Sequence, residues 1–203
     1  SNLAGNSVTS LKACISLTSS DASPAVAYRS ITKTATSYTF SLTSAERTAL
    51  RNATTTAKSR SVYFFIQTVI GGVTYTHSLK KTLSIVNAAP TLSPTISDAN
   101  AVTTALTGDS SKLIKYYSNA AITTGAAALK GATIKSQKVT CGGKSLSAAS
   151  GTINAVESGS FVFTVTDSRG NTTTKTVNKT LIEYVKLTCN LSATNPTTEG
   201  NMS

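Results

Sequence analysis

The feature that most constrains the fold is segment 159–180, with the sequence GSFVFTVTDSRGNTTTKTVNKT. Phe161 and Phe163 alternate with smaller residues, which is the two-residue period of a strand with one face in a core. Residues 167–171 interrupt this pattern, and Gly170 among them can adopt the positive φ of a hairpin turn. Threonines then resume the alternation on the way back. The segment is therefore predicted to be a β-hairpin.

An earlier segment repeats the features of this hairpin. In a gapless alignment Phe65 meets Phe163 and Gly72 meets Gly170, with an offset of 98 positions. This offset is close to the ~100 residues of an immunoglobulin-like sandwich. A chance likeness between two threonine-rich hairpins is the alternative interpretation. The repeat predicts two successive small β-domains, each closed by its last hairpin.

The predicted fold class is all-β, with tandem immunoglobulin-like β-sandwiches and one short helix in the first domain. Thr43 and Glu46 have the spacing of a capping box, which predicts that helix over residues 44–52. The predicted divisions are an Ig-like β-sandwich at 1–87, a second at 88–182, and the start of a third module or a C-terminal tail at 183–203. A further strand is predicted at 184–191.

The hairpin of the first domain shows the clearest alternation in the chain. Residues 62–70 are apolar on both faces, which predicts a central strand, and Gly71-Gly72 suits a two-residue turn. His77 falls on the apolar side of the return strand, where a hydrogen-bonded core or rim position is expected. The residues of the return strand that are predicted to face inward are Val73, Tyr75, Leu79, Leu83 and Ile85.

The charge balance is strongly basic, with 19 Lys and Arg against 8 Asp and Glu and a net charge of +11. Such an excess attracts polyanions such as nucleic acid, teichoic acid or an anionic cell wall. It also arises when basic residues protect strand edges and keep them soluble. The second interpretation is favoured, because Lys80-Lys81 is the longest basic run and aromatic residues do not interleave with it. No specific nucleic-acid partner and no membrane insertion are predicted.

Residues for catalysis or metal binding are sparse. The 3 Cys are an odd, widely spaced set, and the chain has 1 His. This pattern predicts free thiols rather than a disulfide framework or a metal site. Most carboxylates fall in predicted turns, where Asp serves the backbone. We therefore predict no enzyme, no catalytic, cofactor-binding or metal-binding residues, and no cofactor.

Four segments of the second domain carry a resemblance to a known family. They are NAAPT at 87–91, LIKYYSN at 113–119, LKGATI at 129–134 and TDSRGNT at 166–172. Together they resemble the Ig-like modules of minor structural proteins from siphophages of Gram-positive bacteria, and the resemblance covers residues 87–191. It implies a component of the virion tail or tail tip, with other virion tail proteins as partners, oligomerisation through the larger assembly, and no catalytic residues to carry over.

Three functions follow as hypotheses. The first is a phage virion structural protein whose Ig-like modules are spacers or adhesion modules at the extracellular tail tip, with host cell-wall polysaccharide as a candidate ligand. The second is an adhesin or stalk repeat on a bacterial cell surface. The third is a carbohydrate-binding module, which needs exposed aromatic residues as a platform. Its candidate ligand-contacting residues are Tyr116, Tyr117 and Tyr184, for which positions in strand cores are the alternative.

Overall fold

The computed structural model describes residues 7–184. They form mostly antiparallel sheets and two short helices, so the predicted all-β fold class is confirmed. The helices are α1 (Ser44–Asn52) and α2 (Ala101–Thr107). The strands are β1 (Val8–Ser16), β2 (Val26–Ser30), β3 (Ser59–Ile70), β4 (Val73–Ser84), β5 (Thr91–Leu92), β6 (Thr95–Asp98), β7 (Leu113–Ile114), β8 (Ala120–Thr123), β9 (Ala126–Ala127), β10 (Ile134–Cys141), β11 (Lys144–Leu146), β12 (Ser150–Ile153), β13 (Ser160–Asp167), β14 (Thr172–Asn178) and β15 (Leu181–Ile182). The strand predicted at 184–191, and nearly all of segment 183–203, lie outside the described residues.

The first sheet has the strand order β2-β1-β3-β4, with β3 in a central position as its sequence predicts. A two-residue turn joins β3 to β4, so that Ile70 pairs with Val73. One face of the sheet carries a small core to which α1 contributes a single buried side chain, Leu50. The buried members of this first core are Ile15, Val26, Leu50 and Val62.

Helix α1 begins and ends at the residues that its capping signal predicts. The Glu46 amide donates to Thr43 Oγ1 at 3.2 Å, and the Thr43 amide donates to Glu46 Oε2 at 2.7 Å. This reciprocal pair satisfies two amides that the first helical turn leaves without partners. Arg29 of β2 forms an ion pair with Glu46 at 2.7 Å, which joins the start of the helix to the sheet.

The prediction that the alternating apolar residues of β4 face a core is wrong for most of the strand. Val73 is 53% exposed, Tyr75 is 53% exposed and Leu79 is 56% exposed. Only Leu83, near the end of the strand, packs against the first core. The reason is length, because nine helical residues span about 14 Å whereas the twelve residues of β4 span about 40 Å. Helix α1 therefore leaves most of this face uncovered, including His77.

The second part of the chain has two larger sheets around one core. Their strand orders are β11-β10-β13-β14 and β12-β8-β6. Phe161 and Phe163 of β13 are fully buried between them, so the predicted hairpin forms and faces a core as expected. Strand β8 is the middle strand of the second of these sheets, and helix α2 follows β6 after two residues.

Arg169, in the turn between β13 and β14, joins the two parts of the molecule. Its buried guanidinium donates through Nε to the Thr54 carbonyl at 2.7 Å and through Nη2 to the Arg51 carbonyl at 3.3 Å, both at the end of α1. It also donates to the carbonyls of Leu129 and Lys130 in the loop before β10. One side chain therefore connects the end of α1 to two loops of the second part.

The two parts have separate cores, one from strands β1 to β4 with α1 and one from the later strands. In each of the two four-stranded sheets, the first strand of the closing hairpin is central and the second lies at the edge. This shared position agrees with the alignment of the two hairpins. The repeat and the division at residues 87 and 88 stay predictions.

Candidate functional site

The three tyrosines that the sequence singles out lie on one surface. Tyr116 and Tyr117 follow β7, and Tyr184 follows β15, which pairs with β7 in parallel. Because parallel strands end on the same side of a sheet, the residues after them meet. The ring centroids of Tyr117 and Tyr184 are 4.5 Å apart in an edge-to-face arrangement. We call Tyr116, Tyr117 and Tyr184 the tyrosine surface.

All three rings are accessible, which excludes the alternative that they fill strand cores. Tyr116 is 53% exposed, Tyr117 is 45% exposed and Tyr184 is 42% exposed. The hydroxyl of a tyrosine can form hydrogen bonds while its ring presents a flat apolar face. The tyrosine surface can therefore contact a ligand that has both apolar faces and hydroxyl groups.

The turn that carries Tyr116 and Tyr117 is fixed by backbone hydrogen bonds. Tyr116 has a φ of 66°, a left-handed conformation that is uncommon for a residue with a side chain. Its amide donates to the Val156 carbonyl at 2.7 Å, and the Tyr117 amide donates to the Ile114 carbonyl at 3.1 Å. Such a conformation persists where the surrounding structure holds it. The two rings are thus presented by a constrained turn.

A buried carboxylate, Asp98, holds this turn from beneath. It accepts hydrogen bonds from Ser118 Oγ at 2.6 Å, from the Asn119 amide at 3.2 Å and from the Thr103 hydroxyl of α2. Burial by itself raises the pKa of Asp98, but these hydrogen bonds outweigh it and hold the pKa below its ordinary value. Asn100, the N-cap of α2, donates to the Tyr117 carbonyl at 2.8 Å. Asp98 and Asn100 therefore position the tyrosine-bearing turn.

The sequence interpretation missed both of these positioning residues. The available signal was Asn100 immediately before an Ala-Val-Thr-Thr-Ala run, since Asn is a favoured N-cap. No local pattern identifies the contact between Asp98 and Ser118, because it depends on the packing of β6 beside β8.

Charged side chains near the tyrosine surface occur as opposite-sign pairs. Lys115 Nζ lies 2.9 Å from Glu183 Oε2 and 5.5 Å from the centroid of the Tyr116 ring. The hydrogen bond that Lys115 donates to Glu183 raises the pKa of Lys115. Lys144 Nζ lies 3.4 Å from Glu157 Oε1. The net positive charge of the chain is therefore not concentrated at this surface.

An open cavity of about 500 Å³ adjoins the tyrosine surface through the 154–156 segment. Val156 in that segment accepts the Tyr116 amide, while Lys144 donates to the Asn154 carbonyl at 2.9 Å. The cavity is lined by Lys144, Ser145, Thr152, Ile153, Asn154 and Ala155. Hydroxyl, amide and carbonyl groups here can bind hydroxyl groups of a ligand that stacks on the tyrosines.

Metal and membrane features were searched over residues 7–184. No group of three or more His, Cys, Asp or Glu in this range could hold a metal ion. Neither α1 nor α2 has the length and apolar character that a membrane crossing demands. Cys14 and Cys141 are buried free thiols, and Cys189 lies outside the described residues.

Comparison with protein-family models and with curated proteins finds no match to this chain. The resemblance to siphophage Ig-like modules therefore stays a prediction from the sequence.

Proposed function

We propose that the chain is a non-enzymatic spacer module of an extracellular phage tail that contacts host cell-wall polysaccharide through the tyrosine surface. The observation that carries the proposal is the contact between the exposed rings of Tyr117 and Tyr184, beside the exposed neighbour Tyr116. Other tail proteins are the proposed structural partners. The resemblance of the second part to siphophage tail modules supports the choice of assembly.

The chemistry of a polysaccharide suits this surface. Sugar rings have apolar faces that stack on aromatic rings, and their hydroxyls bind carboxylates and amides. Tyrosine provides rigid contact area at a low cost in conformational entropy. Glu183 directly precedes Tyr184 and pairs with Lys115, whose Nζ lies 5.5 Å from the centroid of the Tyr116 ring, so its carboxylate is placed to accept hydrogen bonds from sugar hydroxyls.

The test is binding of the whole chain to purified Gram-positive cell walls across a salt series. We expect saturable binding that survives high salt, because ion pairs already balance the charges of the tyrosine surface. Removing Tyr117 and Tyr184 together (Y117A/Y184A) should weaken binding at least about tenfold, as expected for aromatic contact residues.

The matched control is Tyr38→Ala. Tyr38 is also exposed and also packs edge-to-face on an aromatic ring, Phe40, at 4.9 Å, but it lies in the first part of the chain. Equal loss of binding in this variant would contradict the proposal. So would binding that disappears as salt rises, because that result indicates nonspecific attraction by the net charge of +11.

A further inference from the structure

We propose that the free edge of β4 docks an extended, acidic segment of a partner polypeptide, which adds to the first sheet as a fifth strand. The site lies in the first part of the chain and is separate from the tyrosine surface. It does not depend on polysaccharide binding.

The backbone of β4 offers one side to a partner strand. β4 lies at the edge of its sheet and pairs only with β3 among the described residues. Ile70 and Val73 close a two-residue turn, so they form a hydrogen-bonded pair, and odd-numbered residues of β4 bond to β3. The even-numbered residues therefore direct their amides and carbonyls to the open edge. They are Thr74, Thr76, Ser78, Lys80, Thr82 and Ser84.

Apolar side chains next to this edge are also exposed to solvent. Val73, Tyr75 and Leu79 share one face of the sheet with Ile66, which is 47% exposed. We call these four residues the β4 patch. Contiguous exposed apolar patches on soluble proteins commonly mark interaction sites. An added strand with apolar residues at alternate positions would place them beside the β4 patch.

The charges around β4 indicate what kind of strand can bind at its free edge. The sequence from Arg47 to Ser97 contains no carboxylate, and Lys80 and Lys81 lie on β4 itself. At the Leu83 end, a cavity of about 240 Å³ is lined by apolar side chains and by Arg47, Arg51 and Lys130. None of these three cations forms an ion pair within residues 7–184. Carboxylates on the incoming strand would provide the missing partners.

A second copy of this chain is a poor occupant. Its β4 would bring more lysines to the edge, and like charges oppose edge-to-edge pairing. Every carboxylate within residues 7–184 is already engaged by a hydrogen bond or an ion pair in its own copy. These carboxylates are Asp21, Glu46, Asp98, Asp109, Glu157, Asp167 and Glu183. The structure therefore assigns the edge to a different, acidic polypeptide.

The probe is a capped peptide of about ten alternating Val and Glu residues, compared with one in which Lys replaces Glu. We expect the Glu peptide to bind the whole chain at least about tenfold more tightly than the Lys peptide. In amide hydrogen exchange, the Thr76, Ser78 and Lys80 amides should become protected when it binds. The odd-numbered amides of β4 should be protected with or without the peptide, because they already bond to β3.

Two variants test the mechanism. Ser78→Pro removes an outward amide without breaking the β3–β4 ladder, and it should abolish binding, whereas Ser78→Ala keeps the amide and should bind. K80E/K81E should reverse the preference between the two peptides, while Lys175→Glu on exposed β14 should not. Equal binding of both peptides, or binding that survives Ser78→Pro, would overturn the proposal. Concentration-dependent dimers blocked by Ser78→Pro would also overturn it, in favour of a second copy.

Discussion

Asp98 is the residue on which the geometry of the tyrosine-bearing turn depends. Its carboxylate, at the end of β6, accepts hydrogen bonds from Thr103 of α2 and from Ser118 and Asn119, which follow β7 about twenty residues later in the sequence. A charged group in so closed a site is stable only while those donors remain. The stability of the second part should therefore respond to the protonation of this one side chain.

We expect Asp98→Asn to lower the free energy of unfolding at neutral pH by about 1–3 kcal/mol, the usual cost of disrupting buried hydrogen bonds to a charged group. The folded-state pKa of Asp98 is lowered, so its stabilisation is present above the unfolded-state pKa and is lost as pH falls through the folded-state pKa. The difference between wild type and variant should thus shrink below about pH 4. Chemical denaturation at a series of pH values measures it.

Glu157→Gln is the control, because its ion pair is largely exposed and such pairs contribute about 0–1 kcal/mol. A wild-type advantage over Asp98→Asn that stays constant down to the lowest pH would show that charge is not the source of the effect.

The tyrosine surface shows how much of a candidate site can be predicted from individual residues in the sequence. Tyr116 and Tyr117 are adjacent in sequence, so their proximity needs no structure. Their meeting with Tyr184 depends on a parallel pair of two-residue strands, β7 and β15, which are too short to leave a periodic signal. Residue type alone identifies these tyrosines as candidates. Their proximity in space depends on the pairing of β7 with β15.

At the scale of elements, local sequence signals predict where helices and strands form, but they do not predict which of their faces are buried. The start of α1 follows from a capping box, whose atoms all lie within four residues. The alternation of β4 correctly predicts a strand with two different faces. The alternation cannot predict whether the apolar face is covered, because that depends on how far helix α1 extends across the sheet. Burial also occurs outside regular elements, since Phe40 and Leu42 pack on the first core from a loop.

The capping box gives a prediction at this scale. We expect Thr43→Ala to lower the free energy of unfolding by about 1 kcal/mol, the typical value for loss of an N-cap side chain. Thr48→Ala is the matched control, since the same substitution at an exposed interior position of α1 favours the helix slightly. Thermal unfolding of both variants compares them. An equal loss of stability from both substitutions would argue against the capping role.

At the scale of the whole molecule, Arg169 joins the two parts of the chain by hydrogen bonds. Its guanidinium supplies donors to backbone carbonyls at the end of α1 and in the loop before β10. Gly131 in that loop approaches α1 so closely that an added Cβ would lie 2.2 Å from Asn52 Oδ1. The contact combines charge-assisted hydrogen bonds with close packing, and the first part, with its small core, gains the most from it.

We expect Arg169→Ala to lower the free energy of unfolding by about 2–4 kcal/mol, because it leaves several buried carbonyls without a donor. The loss should fall mainly on the first part, seen as earlier loss of amide protection in β1 and β3 during hydrogen exchange. Lys175→Ala, on the exposed strand of the same hairpin, should have little effect. Loss of protection confined to β13 and β14 would contradict this expectation, because it would mean that Arg169 stabilises only its own hairpin.

The two buried thiols provide a way to follow each part of the chain separately. Cys14 lies in the first sheet and Cys141 in the second core, and burial raises the pKa of both. A protonated, shielded sulfur does not react with alkylating reagents until the structure around it opens. The rate at which each site gains a label, resolved by peptide mass spectrometry, therefore reports how often each half opens. Within residues 7–184, each part of the chain carries one such reporter.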